Sequence, residues 1–175
     1  MEDDIFYKEE VICEEPQVPK VKVNMQVCKP DILFSKVWKT EVMPVIGQLA
    51  EQSNGCFTVY EIMLSLQSGS SIICIGTLDD GSFAGFTILE LGGGRMGSQT
   101  DGPSIWIAYI IDRLRGSDAV YQGAKFVEEL ASKSLGAKAI YSISYDDNLS
   151  AMFKKIGFSQ TQKATYFRKE LTSGR

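Results

Sequence analysis

"SLGAKAIYSISYDDNLSAMFKKIGF", Ser134–Phe158, is the stretch on which the reading of the fold turns. Gly136 stops a helix, because glycine enters the left-handed conformation that closes a last turn at little cost. "AKAIYSIS" then reads as a strand, rich in apolar and aromatic residues at its centre. Asp147-Asn148 makes a polar turn and opens a short helix that runs to Lys155, and Gly157-Phe158 ends it. The unit is therefore strand, acidic-Asn turn, short helix, Gly-Phe.

Working upstream, Ala119–Leu135 has helical periodicity, with Val120, Phe126, Val127, Leu130 and Ala131 available to face a sheet. Before it, "SIWIAYII" is nearly all apolar and reads as a central strand. "SIICIGTL" and "SFAGFTILEL" flank Asp79-Asp80-Gly81, a hairpin signature. Thr58 and Glu61 have the spacing of a capping box, predicting a helix that ends near Gly69. A longer helix is predicted from Asp31, as N-cap, to about Gln52, kinked or split at Pro44 and closed by Asn54-Gly55. "VKVNMQV" is a first strand and "ATYFRKEL" a last one, with another short strand admissible after Phe158. The order is β-α-α-β-β-β-α-β-α-β, without internal repeats.

At 175 residues the chain suits one well-buried domain. The acidity is local: Met1–Lys20 holds seven acidic residues (Glu2, Asp3, Asp4, Glu9, Glu10, Glu14, Glu15) against Lys8 and Lys20. Residues 1–20 read as an acidic arm and 21–175 as the domain. The arm is a loosely tethered tail or, given Ile5, Phe6, Tyr7, Val11 and Ile12, a docking segment for a protein partner. The charge balance argues against nucleic acid, and no apolar run approaches a membrane span. The acidic start lacks the form of a signal peptide. Cys13, Cys28, Cys56 and Cys74 form no CxxC pair and read as reduced thiols, two of them in the core, which predicts a cytoplasmic protein. The chain contains no histidine. That removes Ser-His-Asp and Cys-His nucleophile systems and argues against a metal site of the zinc type. Proton transfer would fall to a carboxylate, Tyr, Lys, a backbone group or water.

Two glycine-rich stretches invite a phosphate reading. "GGGRMG", Gly92–Gly97, matches GxGxxG in form, but the next element is a strand, so no helix amides would face a pyrophosphate. "RLRGSDAVYQGA", Arg113–Ala124, leaves an apolar strand and enters a helix, the right setting for an anion site. Its plain alternative is a turn capped by Ser117 or Asp118.

Ser134–Phe158, together with the upstream element order, closely resembles the acetyl-CoA-binding core of the GNAT superfamily of N-acetyltransferases. The resemblance spans roughly Val21–Leu171 and is strongest from Ile105 onward. It implies an α/β (α+β) acyl-CoA N-acyltransferase fold: a mixed, mostly antiparallel central sheet flanked by helices, with strands four and five splayed. It also implies acetyl-CoA, or CoA, as cofactor and an amine as acceptor. Main-chain groups near Ile110, Ile111 and Asp112 would pair with the pantetheine arm. Amides from Arg115, Gly116, Ser117, Asp118, Ala119 and Val120 would hold the pyrophosphate, and Asn148 and Phe153 would border the thiol end. Glu90 and Asp112, at the ends of the third and fourth strands, are the candidate bases.

The sequence also departs from the family. Its pyrophosphate motif is Gln or Arg, two residues, Gly, one residue, then Gly or Ala. Counted from Arg115, the small positions are Asp118 and Val120; counted from Gly116, they are Ala119 and Tyr121. Either frame loses a small residue, and Asp118 adds a charge that repels phosphate. Phe153 stands where many active members carry a tyrosine able to protonate the departing thiolate. These departures support an alternative of another class: a catalytically degenerate GNAT-fold structural or docking protein, for instance a virion component. Short-tailed bacteriophages carry GNAT-like internal virion proteins, which would place the chain in a virion. A domain that binds acyl-CoA without turnover lies between the two.

Overall fold

A computed structural model describes residues 19–53, 55–92, 102–142 and 153–159. The first strand, β1 (Val23–Cys28), leads through a 3-10 turn at Pro30–Phe34 into a helical stretch. That stretch begins at Ser35, not Asp31: the Ser35 hydroxyl accepts the Trp38 N–H at 3.1 Å. A π turn over Trp38–Val42 then runs directly into α1 (Met43–Gln52). Pro44 neither splits nor ends the helix. It has no N–H to offer, and the wider turn just before it, closed by Met43 N–H to Trp38 O, accommodates that loss.

In α2 (Val59–Ser68) the capping box forms as spaced: Thr58 Oγ1 accepts Glu61 N–H at 3.1 Å and Glu61 Oε2 accepts Thr58 N–H at 2.7 Å. Gly69, at φ 73°, closes the helix. The hairpin of β2 (Ser71–Leu78) and β3 (Phe83–Glu90) turns at Gly81, with Asp80 accepting the Ser82 N–H at 2.9 Å. Then come β4 (Ser104–Ile110), α3 (Ala119–Glu129) with a π turn extending it to Ser134, and β5 (Tyr141–Ser142). As expected, the helix closes at Gly136, φ 64°. The fifth strand, expected from Ala137, starts only at Tyr141, and residues 137–140 are irregular; Ile143, Ser144 and the expected last strand lie outside the described residues.

The sheet runs β1-β2-β3-β4-β5; β1 to β4 pair antiparallel, and β5 joins β4 in parallel. At that parallel junction a Cβ on Gly102 would stand 1.8 Å from the Ala139 carbonyl oxygen, so only glycine lets the two chains approach. One face of the sheet packs on α1 and α2 through Trp38, Val42, Ile46, Ile62, Leu66, Ile73, Phe86 and Ile88, all buried. The other faces α3, with Ala84, Leu114 and Ala119 as a smaller buried cluster. Of the thiols, Cys74 is buried, Cys28 half-buried and Cys56 exposed. Burial, and secondarily the neighbouring Cys28, push the Cys74 thiol up to about 12.

Candidate functional site

The site is built around β4. Ile88 pairs with Ile107 but Leu89 with Ile105, so Trp106 is an extra residue, a β-bulge. The bulge sends Trp106 and Ile107 to the same side, into the α1/α2 core, where Trp106 meets Phe57 edge-on at 6.3 Å. Among the described residues β5 pairs only with Ser104 and Ile105, the first two residues of β4. Beyond them Ala108 is exposed and Ile110 half-buried, although β4 lies inside the sheet. Among the described residues the α3 side of this strand is thus uncovered at Ala108.

The turn after β4 delivers the chain to α3. Ile111 N–H holds to Ala84 O at 3.1 Å, and Asp112–Leu114 makes a single 3-10 turn with Leu114 buried. Gly116 has φ 83°. The buried Ser117 hydroxyl donates to Leu114 O at 2.7 Å and accepts Ala119 N–H at 3.2 Å, so Ser117 does the capping. Asp118 does something else. Its carboxylate accepts Val21 N–H at 2.8 Å, and its own N–H donates to Pro19 O at 3.2 Å. One turn on, the Gln122 side chain accepts Val23 N–H at 3.0 Å and donates to Val21 O. The segment entering β1 is therefore strapped across the start of α3. The amides of Gly116, Val120 and Tyr121 make no such bond among the described residues.

An apolar cavity of about 120 Å³ opens between α3 and the sheet, and it gathers Ile110, Ala119, Val120 and Phe153 from the expected cofactor residues. Ile111 is half-buried beside it; Asp112, Arg115 and Gly116 lie outside on the exposed turn, where Asp112 pairs with Arg115 at 2.8 Å. Asn148 lies outside the described residues. Phe153 is buried against Phe158, ring centroids 5.1 Å apart, and its carbonyl accepts the Phe158 N–H at 3.0 Å. The two candidate bases do not meet. Glu90 pairs with Ser104 at the start of β4 and Asp112 follows its end, so the seven residues of the strand, more than about 20 Å of extended chain, separate them.

Sequence reasoning missed Gln122, whose partners are about a hundred residues away, and the small residues Gly76, Ala84, Gly85, Ala108 and Gly123 that line the cavity. The spacing of Ala119 and Gly123, one turn apart on α3, was the signal for the last of these. Among the described residues no cluster of His, Cys, Asp or Glu suits a metal ion, and no helix is long and apolar enough to cross a membrane.

No protein-family model and no curated protein matches the sequence. Solved structures do match in three dimensions. The aminoglycoside 6'-N-acetyltransferase AAC(6')-Ih from Acinetobacter baumannii superposes with a TM-score of 0.62 at 17% identity, covering 86% of this chain and 100% of its own. The chain has the GNAT fold. A GNAT-family acetyltransferase from Listeria monocytogenes gives 0.62 at 14% identity over 82% of this chain and 90% of its own. AAC(6')-Iy, solved with a CoA-linked bisubstrate analog, gives 0.56 at 16% over 86% of this chain and 99% of its own. In this GNAT fold the uncovered side of β4 and the turn into α3 adjoin one another at one end of the sheet.

Proposed function

We propose that the chain is an acyltransferase that moves an acetyl group from acetyl-coenzyme A to an amine. The observation that carries this reading is the uncovered α3 side of β4, running straight into a helix N-terminus with amides to spare. The residues fit coenzyme A in two places. Main-chain groups of Ile110 and Asp112 lie beside small side chains that leave room for a pantetheine arm, whereas the N–H of Ile111 is held by Ala84 O and its carbonyl by Leu114 N–H. Gly116, Val120 and Tyr121 amides and the Arg115 guanidinium offer a phosphate site at the positive end of the helix dipole. The Asp118 carboxylate is engaged by Val21 N–H, which offsets the repulsion that its charge would otherwise impose.

When bound, the acyl thioester supplies an activated carbonyl to the amine. The chain's own contribution is positioning, backbone dipoles along β4, and removal of the amine proton. With phosphates at the α3 turn, the reacting end falls toward the start of β4, where Glu90 stands and Asp112 does not. Glu90 is then the base, and Asp112 orients Arg115 through their ion pair. Phe153 closes the thiol end by packing and gives no proton, so the departing thiolate takes its proton from water.

Calorimetric titration with acetyl-coenzyme A at low salt tests the reading. A micromolar Kd, about −8 kcal/mol, is expected, and Asp118→Gly should tighten it by removing the charge. No heat at millimolar ligand, with an unmoved Tm, would sink it. A second reading, a GNAT-fold docking or structural protein, is favoured by Pro19 occupying the Asp118 amide and by Phe153. It expects no coenzyme A binding and loss of a protein partner on deletion of residues 1–18.

A further inference from the structure

The start of α3 already holds an acceptor supplied by this chain. Pro19 O accepts the Asp118 N–H at 3.2 Å, and Val21 and Val23 are fixed to Asp118 and Gln122. From Pro19, which is exposed, the chain continues back into residues 1–18, which hold seven carboxylates against Lys8. Glu15 and Glu14 stand four and five residues before Pro19. At no more than about 3.6 Å per residue, neither lies farther than about 18 Å from it, whatever path the chain takes. Arg115 and Gly116 precede Asp118 by three and two residues. Both tethers therefore end at one hydrogen bond.

What the turn offers is positive. Arg113 and Arg115 are exposed, and the amides of Gly116, Val120 and Tyr121 make no bond of the strap's kind among the described residues. The turn's own carboxylates, Asp112 and Asp118, are engaged by Arg115 and by Val21 N–H, which leaves a five-donor guanidinium with donors to spare. Carboxylates are stabilised at a helix start, and a short tether holds them there at a roughly millimolar effective concentration.

We propose that the acidic arm folds back on this turn and places Glu14 and Glu15 where the phosphates of the acyl donor bind, so that arm and donor compete. This rests on the acyltransferase reading above and adds the regulation of that same site. The arm is a tethered stand-in for phosphate, and neutralising it raises donor affinity.

The test is calorimetry with acetyl-coenzyme A at low salt on the full chain and on two full-length variants of equal net charge. Glu14→Gln with Glu15→Gln removes the two near carboxylates. Glu2→Gln with Asp3→Asn removes two that stand seventeen and sixteen residues before Pro19. The near variant should bind about fivefold tighter than the natural chain, the scale of two surface ion pairs, and the far variant within about twofold of it. The gain should fade as salt is raised toward about 0.5 M. Equal affinity for the near variant and the natural chain overturns this proposal and leaves the acyltransferase reading standing. Equal gains in the two variants also overturn it, since they mark net charge and not the tether, as does a gain that salt leaves unmoved. Absence of binding by all three chains overturns both.

Discussion

One face of the sheet is filled by Trp38, Ile46, Ile62, Ile73, Phe86 and Ile88, each within 2% of complete burial. The opposite face, under α3, meets the helix with Gly76, Ala84, Gly85 and Ala108 and leaves a cavity of about 120 Å³. The cavity is open to solvent, and the packing contacts that its walls forgo are stability that the filled face keeps. The same sheet thus divides its labour: the α1/α2 face holds the fold together, and the α3 face gives up packing for access along β4.

The sharpest way to break this comparison is truncation on the filled face. Trp38→Ala should cost about 3–5 kcal/mol, read by urea unfolding; a loss below about 1 kcal/mol would mean the filled face is not the stabilising one. Next comes the strap. Asp118→Ala removes a charged acceptor from Val21 N–H and should cost about 1.5–2 kcal/mol, lowering Tm while coenzyme A binding improves. A rise in Tm would mean that the strap adds nothing to stability. On the cavity side, Gly123→Ala should raise stability by about 1 kcal/mol through helix propensity alone, where the filled face offers no such gain. Thermal melts decide it, and destabilisation would show that α3 is already tightly seated.

The smallest effect belongs at the hairpin. Asp79 is held below the ordinary carboxylate range by hydrogen bonds from Lys22, at 3.0 Å, and Asn24, at 3.0 Å. Its contribution is present above the unfolded pKa, about 3.9, and is lost as pH falls through the lower folded value. Asp79→Asn should slightly flatten the acid limb of the stability profile and leave neutral pH almost unchanged.

How much was legible follows the distance between partners. The Thr58–Glu61 box, the Asp79–Gly81 hairpin and the Gly136 stop were readable because each is completed within a few residues. The role of Pro44 was not, since the π turn that accommodates it is set by packing of Trp38 and Val42, both buried. Asp118 read as a repulsive charge in a phosphate turn, because its partner Val21 lies 97 residues earlier. The bulge at Trp106 depends on register with β3, and the cavity on small residues dispersed over three strands and a helix. Neither leaves a local pattern.

The strap from Pro19 to Val23 has a consequence for the order of assembly. Its bonds to Asp118 and Gln122 close sequence gaps of 97 to 101 residues, and contacts of that range form late because loop closure must come first. The turn into α3 is thus completed only after β1 has reached its place at the sheet edge. A half-made sheet leaves that turn unfinished, and the first strand acts as the latch that sets it.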